Sequence, residues 1–588
     1  MVSSLLSNPV ASGYTDPKIE IGLADATDRP AIYRLRHQIY ALELGQHQPN
    51  SSQELTDAHD HYNVYLKASM DGRIVGFVSI TPPGHRYSVD KYFGRDVFPF
   101  SFDDGIYEVR LLTVVPERRR LAIATLLMYG ALRWIESEGG TRIVAIGRRE
   151  VLRLYLKAGL KPLGRSAQSG AVTYELLAAT VTELRDVANR RLVTLHHLKS
   201  HTRWRLAMPF LPIEACRHGG DSFEAIGEDF DNLDCAGDII NADVLDAWFP
   251  PSPRAVATLE QHLPFLLRTS PPTASSGFVR AVARTRGLPT ECIVPAAGSS
   301  ELIFLAFREW LTQDSAVLLL DPTYGEYGHV TEHIVGCQVD RLKLLREENY
   351  QLNLQALQDR LTCARYDLVV IVNPNSPTGQ HVPRPAVESL IRNIPVSTRF
   401  WIDETYIDYV GSEHSLEFFA ATSQNTVVCK SMSKVYALSG VRAAYVCGPA
   451  RVAMGLREIS PPWAVSLPAQ LAAVRALDDP EYYAARYRET QELREKFAVA
   501  LRALGFEVIP SVANFLLCHL REQGPDAATV SQRCRERGVY VRDAGEISPV
   551  LGSYALRIAV KDEQTNQKVV EVLRDVIASA SKCCDPGC

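Results

Sequence analysis

The sequence predicts two α/β domains in a single chain. At 588 residues the chain is longer than one hydrophobic core usually supports. From Val294 to about Tyr445, apolar strand-like runs alternate with helix-like segments, which favours a mostly parallel sheet with helices on both faces. The part after about Pro461 is expected to add a smaller C-terminal α/β domain. Up to about Thr180 the chain has its own alternation of strands and helices, so we divide it into residues 1–180, 181–215 and 216–588.

The composition is that of an ordinary globular protein, with 46% hydrophobic residues, 22% charged residues and a net charge of -5. Apart from Arg118-Arg119-Arg120 no basic run stands out, which argues against nucleic-acid binding. No apolar run approaches the ~20 residues that span a bilayer, and the first residues do not resemble a signal peptide. We therefore expect a cytoplasmic protein with no membrane partner.

All twelve cysteines lie from Cys216 onward, and none forms a C-x-x-C pair. Disulfide frameworks and structural zinc sites need regularly spaced cysteines, so this distribution argues against both. We expect no metal.

In the front domain the hydrophobic pattern predicts each element in turn. Period-two alternation or short apolar runs indicate strands, and apolar residues every three to four positions indicate helices. The predicted order is strand 19–26, helix 29–44, two strands within 62–80, strand 106–115, a helix ending near residue 138, strand 141–147 and a further helix. The segment 181–205 has the pattern of an amphipathic helix, which predicts a helical linker over 181–215.

The segment Arg119-Arg120-Leu121-Ala122-Ile123-Ala124 lies between a predicted strand and a predicted helix. It resembles the R/Q-x-x-G-x-G/A signature of the GNAT acyltransferases, with alanine in place of the central glycine. In that family, backbone N–H groups at the helix N-terminus point at the pyrophosphate of acyl-CoA. The resemblance implies acyl-CoA, such as acetyl-CoA, as co-substrate, bound at Arg119, Arg120, Ala122 and Ala124.

Two residues are candidates for acid–base work in this domain. Tyr155 occupies the position where many GNAT enzymes hold the tyrosine that protonates the departing CoA thiolate, although a tyrosine packed at a helix end is the alternative. Glu108 could deprotonate an acceptor amine through a water molecule, although a strand carboxylate often only pairs with an arginine.

In the rear domain, Lys434 follows Ser431 and Ser433 and precedes Arg442. This combination suits pyridoxal phosphate, because its aldehyde needs a lysine amine and its phosphate needs hydroxyl and guanidinium donors. Asp403 ends a strand-like run and is the expected partner of the pyridine nitrogen.

Other residues complete this constellation. Tyr406 could reach the ring hydroxyl, and Tyr324 offers an aromatic face to the ring. Gly298, Ser299 and Ser300 begin a predicted helix, where backbone N–H groups favour a phosphate.

Taken together, these motifs resemble the class I/II aminotransferases of fold type I over roughly residues 216–578. Within that class the chain is similar to histidinol-phosphate aminotransferases and threonine-phosphate decarboxylases. The resemblance implies pyridoxal phosphate, small amino-acid and keto-acid substrates and a homodimer. It also implies that Arg557 binds the substrate carboxylate and that Arg542 binds a second anionic group. For Arg542 a surface salt bridge is the alternative.

The chain departs from this family at two positions. The family usually has asparagine before the Pro-Thr-Gly turn, to contact the ring hydroxyl, whereas this chain has Ser376. Asn375 could substitute, or Tyr406 could make the contact alone. The family's cross-subunit tyrosine is also absent from Thr269-Ser270-Pro271-Pro272.

Three functions follow as hypotheses. The first is a bifunctional biosynthetic enzyme that combines a pyridoxal-phosphate aminotransferase with an N-acyltransferase. The second is a decarboxylase on the same scaffold, since fold and cofactor do not decide which bond breaks. In the third, the front domain is a degenerate acyl-CoA sensor or docking module.

Overall fold

The structure is a computed structural model of the full chain. It describes residues 19–119, 122–169, 172–191, 194–195, 198–199, 201–211, 219–227, 229–230 and 232–582. The chain divides into two compact units, residues 1–213 and 214–588. Both units are mixed α/β structures, as the sequence predicts. Within the described residues, no helix is long and apolar enough to cross a membrane.

The front unit is built on one eight-stranded sheet. Its strands are β1 (Ile19–Leu23), β2 (Val64–Met70), β3 (Arg73–Thr81), β4 (Ile106–Val114), β5 (Arg142–Arg148), β6 (Lys161–Ser169), β7 (Val172–Thr180) and β8 (Thr202–Trp204). Their order is β6-β7-β5-β4-β3-β2-β1-β8. The α-helices are α1 (Arg29–Arg36), α2 (Ile123–Ser137), α3 (Leu152–Ala158) and α4 (Val181–Asn189).

The two faces of this sheet are covered by different helices. Alternate residues of β2 and β3 point to opposite faces, as the pleat of a strand requires. On one face Leu66 and Val78 pack with α2, and on the other Tyr65 and Phe77 pack with Ile32 of α1.

Strands β4 and β5 separate along their length. They pair in parallel only from Ile106 to Glu108 of β4, opposite Arg142 to Val144 of β5. Beyond that point β4 carries a bulge, where Leu111 adopts φ +55°. A bulge of this kind bends a strand and releases backbone groups from the ladder. The separation opens the sheet next to the N-terminus of α2.

The segment after residue 180 differs from the predicted helical linker. It begins with α4, but it also contains β8, which pairs in parallel with β1. That pairing makes β8 an edge strand of the front sheet, so the first compact unit continues to residue 213. The apolar periodicity of 181–205 did not distinguish a short strand from a continuing helix.

The rear unit contains a seven-stranded sheet. Its strands are β10 (Ile293–Ala296), β11 (Ala316–Asp321), β12 (Gln338–Lys343), β13 (Leu368–Val372), β14 (Arg399–Asp403), β15 (Thr426–Ser431) and β16 (Ala444–Cys447), in the order β10-β16-β15-β14-β13-β11-β12. β16 pairs in the antiparallel sense with both β10 and β15, and the other described pairings in this sheet are parallel. Alternate residues of the central strands pack in separate cores on the two faces, with Trp401 on one and Ile402 on the other.

A four-stranded antiparallel sheet and a two-stranded pair complete the rear unit. The small sheet has the order β17-β18-β21-β20, with β17 (Glu507–Val508), β18 (Phe515–His519), β20 (Arg542–Asp543) and β21 (Ala555–Ala559); β9 (Ile240–Asn241) pairs in parallel with β19 (Val539–Tyr540).

The helices of the rear unit lie around these sheets. They are α5 (Ser222–Ile226), α6 (Pro253–Arg268), α7 (Ser276–Arg286), α8 (Ser299–Trp310), α9 (Gly325–Gly328), α10 (Leu354–Cys363), α11 (Arg384–Arg392), α12 (Glu417–Thr422), α13 (Met432–Val435), α14 (Ala450–Ile459), α15 (Leu467–Leu477), α16 (Pro480–Ala503), α17 (Ala527–Arg535) and α18 (Glu563–Lys582). Because β11 and β13 to β15 run in parallel, the residues that follow them collect at one edge of the sheet.

Candidate active sites

Lys434 lies in the short helix α13, directly after the C-terminal end of β15. Its ammonium Nζ donates to Oδ1 of Asp246 at 2.7 Å. Burial lowers the pKa of Lys434, while Asp246 acts in the opposite direction. Burial alone would raise the pKa of Asp246, but Lys434 and a hydrogen bond from Ser439 hold it below its usual range. The lysine amine is therefore partly buried and held in position by a carboxylate.

Asp403 is the last residue of β14 and is buried. Its Oδ2 accepts a hydrogen bond from the Tyr327 hydroxyl at 2.6 Å, and its Oδ1 accepts from the Thr405 hydroxyl at 2.6 Å. Burial raises the pKa of Asp403, although both donors oppose this shift. Tyr324 packs edge to face against Tyr327, with ring centroids 5.9 Å apart. An oriented carboxylate and an aromatic ring thus share the carboxyl edge of the sheet.

The predicted phosphate residues meet at the N-terminus of α8. Gly298 precedes this twelve-residue helix at φ +93°, and Ser299 and Ser300 begin it. A Cβ atom at Gly298 would lie 2.5 Å from Nη2 of Arg442, so only glycine admits the guanidinium there.

Ser431 and Ser433 are both buried beside the lysine. The Ser431 side chain caps α13 by accepting from the backbone N–H of Ser433 at 3.3 Å. Hydroxyl groups and a helix N-terminus with a guanidinium form a donor set that suits a phosphate dianion.

Asn375 does not fit the role of a donor to the ring hydroxyl. Its amide Nδ2 already donates to the Pro322 carbonyl and to the Thr378 hydroxyl, each at 3.0 Å. An amide nitrogen has two hydrogens, so neither remains for a ligand. Its Oδ1 accepts from Thr323, which makes Asn375 a brace within the turn. Ser376, in contrast, is buried with its Oγ 3.5 Å from Nη1 of Arg557.

Arg557 is buried on β21, and its Nη2 donates to the backbone carbonyl of Asp243 at 2.8 Å. Its Nε is buried without a hydrogen-bond partner among the residues that the structure describes. Burial lowers the pKa of Arg557 to about 10. A buried guanidinium that keeps an unpaired N–H is suited to an anionic ligand. Tyr406 interacts electrostatically with Arg557, and burial raises the pKa of its hydroxyl.

Arg542 is not a surface residue, since it is buried on β20. It forms an ion pair with Glu546 at 3.2 Å. Its position in the strand register is directly opposite Arg557.

A buried ionic cluster lies beneath this edge of the sheet. Lys430 Nζ lies 3.6 Å from carboxylate oxygens of both Glu404 and Asp408, and Arg286 donates to both oxygens of Asp408 at 2.9 Å. Burial raises the pKa of Glu404 to about 7. Burial would also raise the pKa of Asp408, but Arg286 and Lys430 hold it at about 2. Because Glu404 follows Asp403 and Lys430 precedes Ser431, this cluster anchors two strand ends of the site.

The front unit has a cavity of about 910 Å³ where β4 and β5 separate. Its wall includes Leu111 and Leu112 of the bulge, Arg148 of β5, Tyr155 of α3 and Ala124 of α2. Burial raises the pKa of Tyr155. The structure thus brings Tyr155 and the start of α2 to one cavity.

The other predicted acyl-CoA residues lie near this cavity or outside the description. Arg119 lines it and forms a two-bond ion pair with Glu43, both at 2.7 Å; this contact lowers the pKa of Glu43 and raises that of Arg119. Ala122 is the N-cap of α2. Arg120 lies outside the described residues.

Glu108 does not reach the cavity. It is fully buried and accepts hydrogen bonds from the backbone N–H groups of Ser88 at 2.7 Å and Val89 at 2.9 Å. The Ser88 hydroxyl donates to it as well. Because both its oxygens are occupied in fixing this turn, the geometry argues against the predicted role of Glu108 as a base.

Sequence reasoning missed two features of these sites. Asp246 belongs to no recognised motif, and it contacts Lys434 across 188 positions of sequence. In the front cavity, Asp57 and His59 also line the wall. The sequence signal for Asp57 and His59 is an aspartate two positions before a histidine, Asp57-Ala58-His59, in a polar loop.

Comparisons with known proteins match a stretch of each unit to a protein family. Residues 251–573 match the family "Aminotransferase class I and II", and residues 30–160 match the "Acetyltransferase (GNAT) family". The histidinol-phosphate aminotransferase of Rhodopseudomonas palustris (strain BisB18) is 30% identical over 334 residues, which cover 56% of this chain and 89% of the relative. That of Roseiflexus castenholzii (strain DSM 13941 / HLO8) is 30% identical over 343 residues, covering 58% and 90%.

Solved structures share the fold of the rear unit. The histidinol-phosphate aminotransferase from Clostridium acetobutylicum superposes with a TM-score of 0.53 at 21% identity, covering 58% of this chain and all of that chain. L-threonine-O-3-phosphate decarboxylase from Porphyromonas gingivalis gives 0.51 at 21% identity, with the same coverage. The chain therefore belongs to the class I and II aminotransferase family and carries a domain of the GNAT acetyltransferase family in front of it.

Proposed function

We propose that the protein is a bifunctional biosynthetic enzyme, in which the rear unit transaminates an amino acid or an amino-phosphate compound and the front unit is an N-acyltransferase. The observation that carries the first activity is Lys434, held by Asp246 at the carboxyl edge of the sheet, with the buried Asp403 and Arg557 at the same site. The histidinol-phosphate aminotransferases at 30% identity support an anionic substrate.

The residues of this edge fit pyridoxal phosphate. Lys434 would hold its aldehyde, Asp403 its ring nitrogen, and Arg442 with Ser299, Ser300, Ser431 and Ser433 its phosphate. The contact between Gly298 and Arg442 supports this assignment, because it leaves the guanidinium beside the N-terminus of α8. Bound there, the cofactor withdraws electrons from the α-carbon of the substrate and so makes its proton removable.

The residues of the chain supply the remaining tasks. The amine of Lys434 takes and returns the α-proton, and burial lowers its pKa in the direction of the neutral form that can accept it. Asp403 stays ionised opposite a protonated ring nitrogen, since an adjacent positive charge favours the carboxylate. Arg557 binds the substrate carboxylate, and Ser376 with Tyr406 replaces the asparagine that the family uses at the ring hydroxyl.

A homodimer is part of this proposal. The helix α6 presents Leu263, Phe265 and Leu267 to solvent, with Leu267 71% exposed. Leu263 and Leu267 lie one turn apart on the same face of α6, and exposed apolar residues in this arrangement are typical of an interface. Leu263→Glu with Leu267→Glu should convert a dimer into monomers in analytical ultracentrifugation. A wild-type chain that sediments as a monomer at all concentrations would contradict the dimer.

For the front unit we propose that acyl-CoA binds between β4 and β5, with its pyrophosphate at the start of α2. The separation of the two strands, the bulge at Leu111 and the cavity beside Tyr155 support this location. Tyr155 would protonate the CoA thiolate as it leaves, because a phenol with a raised pKa stays protonated at neutral pH.

Product analysis tests the rear activity. The full chain, loaded with pyridoxal phosphate, is incubated with a panel of amino acids, histidinol phosphate and a keto-acid acceptor. We expect a keto or aldehyde product from the donor, in an amount equal to the amino acid formed from the keto-acid acceptor. Release of carbon dioxide without an amino acceptor would instead identify a decarboxylase.

A further inference from the structure

The acceptor end of the front cavity contains a histidine that is oriented by a carboxylate. Nδ1 of His59 lies 3.3 Å from Oδ1 of Asp57, and the backbone N–H of His59 donates to the same oxygen at 2.7 Å. Both residues line the cavity that also holds Tyr155. Two other histidines line it, His47 and His61, but among the described residues neither lies against a carboxylate.

The loop that carries this pair is held rigidly. Asp60 accepts from the backbone N–H of Asp57 at 2.7 Å, and it pairs through two bonds, at 3.0 and 3.1 Å, with Arg36, which is 2% exposed. A catalytic side chain needs such support, because a small displacement of the reacting atoms costs much of the rate.

The contacts of Asp57 lead to the bulge of β4. Its Oδ2 accepts from Nη2 of Arg110 at 2.8 Å, and Arg110 directly precedes Leu111, the bulged residue. The pair therefore lies beside the part of β4 that faces the proposed thioester site. Since Asp57 is engaged by Arg110 and His59, it is unsuited to act as a base itself.

Orientation by Asp57 determines which ring nitrogen can act. A carboxylate at Nδ1 favours the tautomer with hydrogen on that atom, which leaves the lone pair on Nε2. Nε2 has no hydrogen-bond partner among the residues described in the structure. Imidazole is the side chain that exchanges protons near neutral pH, the range in which an amine must lose its proton to become a nucleophile.

We propose that His59, oriented by Asp57, is the general base of acyl transfer in the front unit and that the acceptor is the amino group of an amino acid. This inference rests on the proposed acyltransferase function. His59 Nε2 takes one proton from the acceptor ammonium and releases it to solvent, and the amine nitrogen forms a bond to the thioester carbonyl carbon. The same Nε2 takes the second proton from that nitrogen as the carbon–sulfur bond breaks, and the CoA thiolate receives the proton of the Tyr155 hydroxyl. Tyr155 is reprotonated from solvent, and His59 again releases its proton to solvent.

The charges around His59 favour an acceptor that bears a carboxylate. The ring of His59 contacts Tyr62 edge to face at 5.6 Å, and the Tyr62 hydroxyl donates to the backbone carbonyl of Arg86 at 3.0 Å. Arg86 and Lys91 line the cavity, and the carboxylate of Asp57 is already paired with Arg110. This end of the cavity therefore carries excess positive charge.

The test uses the full chain and three variants. His59→Gln removes the base, Asp57→Asn removes its orientation, and His61→Gln is the matched control, a cavity histidine two positions away without a carboxylate partner. Binding of acetyl-CoA is measured by calorimetry. Release of CoA thiol is measured with acetyl-CoA and a panel of amino acids. Each amino acid is compared with the matched amine, which has the same side chain but no carboxylate.

We expect wild type to bind acetyl-CoA and to prefer amino acids over the matched amines. His59→Gln should keep acetyl-CoA affinity within about twofold and lose about 10²- to 10⁴-fold in kcat, the usual contribution of general acid–base catalysis. Asp57→Asn should show a smaller loss in kcat, and His61→Gln should behave as wild type.

The failures can be told apart. No binding of acetyl-CoA to the wild type would refute the proposed acyltransferase function itself. Binding with unchanged kcat in His59→Gln would leave that function standing and overturn the base assignment. Binding without thiol release for every amine would also overturn it, because no transfer would exist for a base to assist. Equal rates with the amines that lack a carboxylate would overturn the acceptor class.

Discussion

Arg542 and Arg557 lie directly opposite each other in the antiparallel pair of β20 and β21. Like charges at facing positions destabilise a sheet, and both of these side chains are buried. Burial lowers the pKa of Arg557 to about 10, and Arg542 adds to this shift. The repulsion between the two arginines costs stability. A ligand with negative charge would offset that repulsion, which explains why the two arginines face each other at a ligand site.

The two arginines should therefore have separable effects on substrate choice. Arg557→Lys should lower kcat/KM by about 10²-fold for every amino acid, because a bidentate carboxylate contact is lost. Arg542→Gln should act only on substrates with a second anionic group, such as histidinol phosphate. The measurement is the ratio of kcat/KM for a phosphate-bearing and a neutral substrate in each variant.

Glu546→Gln is the matched control, because it releases Arg542 from its ion pair without removing the guanidinium. It should preserve or improve the use of the phosphate-bearing substrate. Equal losses for both substrate types in Arg542→Gln would show that Arg542 supports the sheet and does not bind substrate.

Lys434→Ala should abolish covalent attachment of pyridoxal phosphate. In wild type, borohydride reduction followed by peptide mapping should place the pyridoxyl group on Lys434. Lys561→Arg serves as a control, since Lys561 Nζ lies 3.4 Å from the backbone carbonyl of the same Asp246. Labelling of any other lysine in wild type would refute the assignment.

Asp403→Asn should retain part of the cofactor binding but lose about 10²-fold or more in kcat. An amide cannot stabilise a protonated ring nitrogen as a carboxylate does, and loss of one such electrostatic contact has about this effect. Cofactor absorbance and steady-state kinetics measure the two properties separately. Undiminished turnover would mean that another group fills this role.

The buried ionic cluster predicts a pH-dependent gain in stability for Glu404→Gln. The pKa of Glu404 is raised from 4.5 to about 7, so its contribution to stability is present below pH 4.5 and is lost as pH rises through 7. The stability of the variant relative to wild type should therefore be greater at pH 8 than at pH 5, by about 3 kcal/mol at most. Thermal unfolding at the two pH values measures the gain.

Asp408→Asn is the opposite control, because the pKa of Asp408 is held at about 2, below its ordinary 3.8. Its contribution is present above pH 3.8 and is lost only as pH falls through 2. The variant should be less stable than wild type by the same amount at pH 5 and pH 8. A gain for Glu404→Gln that does not change with pH would contradict the raised pKa.

Ala122→Leu should abolish acyl-CoA binding, because a larger side chain at the start of α2 blocks the approach of the pyrophosphate. Thr125→Leu is the control, an exposed position on the same helix. Calorimetry with acetyl-CoA and longer acyl-CoAs on the full chain measures the affinity of both variants. It is repeated at two salt concentrations, because we expect Arg119 to contribute an electrostatic part of the affinity. Tight binding to Ala122→Leu would place the pyrophosphate elsewhere.

Sequence alone predicted the two α/β units and the gathering of several candidate residues at one edge of the rear sheet. Lys434, Asp403 and the turn at Ser376 each follow a recognisable apolar run, and parallel strands bring such positions to one edge. Their chemistry depends on residue type and on position at a strand end, both of which are local properties of the chain.

Tertiary structure alone decided which polar atoms were still available. Asn375 and Glu108 have suitable side chains, but their hydrogen-bonding capacity is consumed by neighbours that no local pattern reveals. Conversely, the contact of Lys434 with Asp246 joins residues 188 positions apart. Hydrogen bonding and desolvation depend on what surrounds a group in space, so these roles required the folded arrangement.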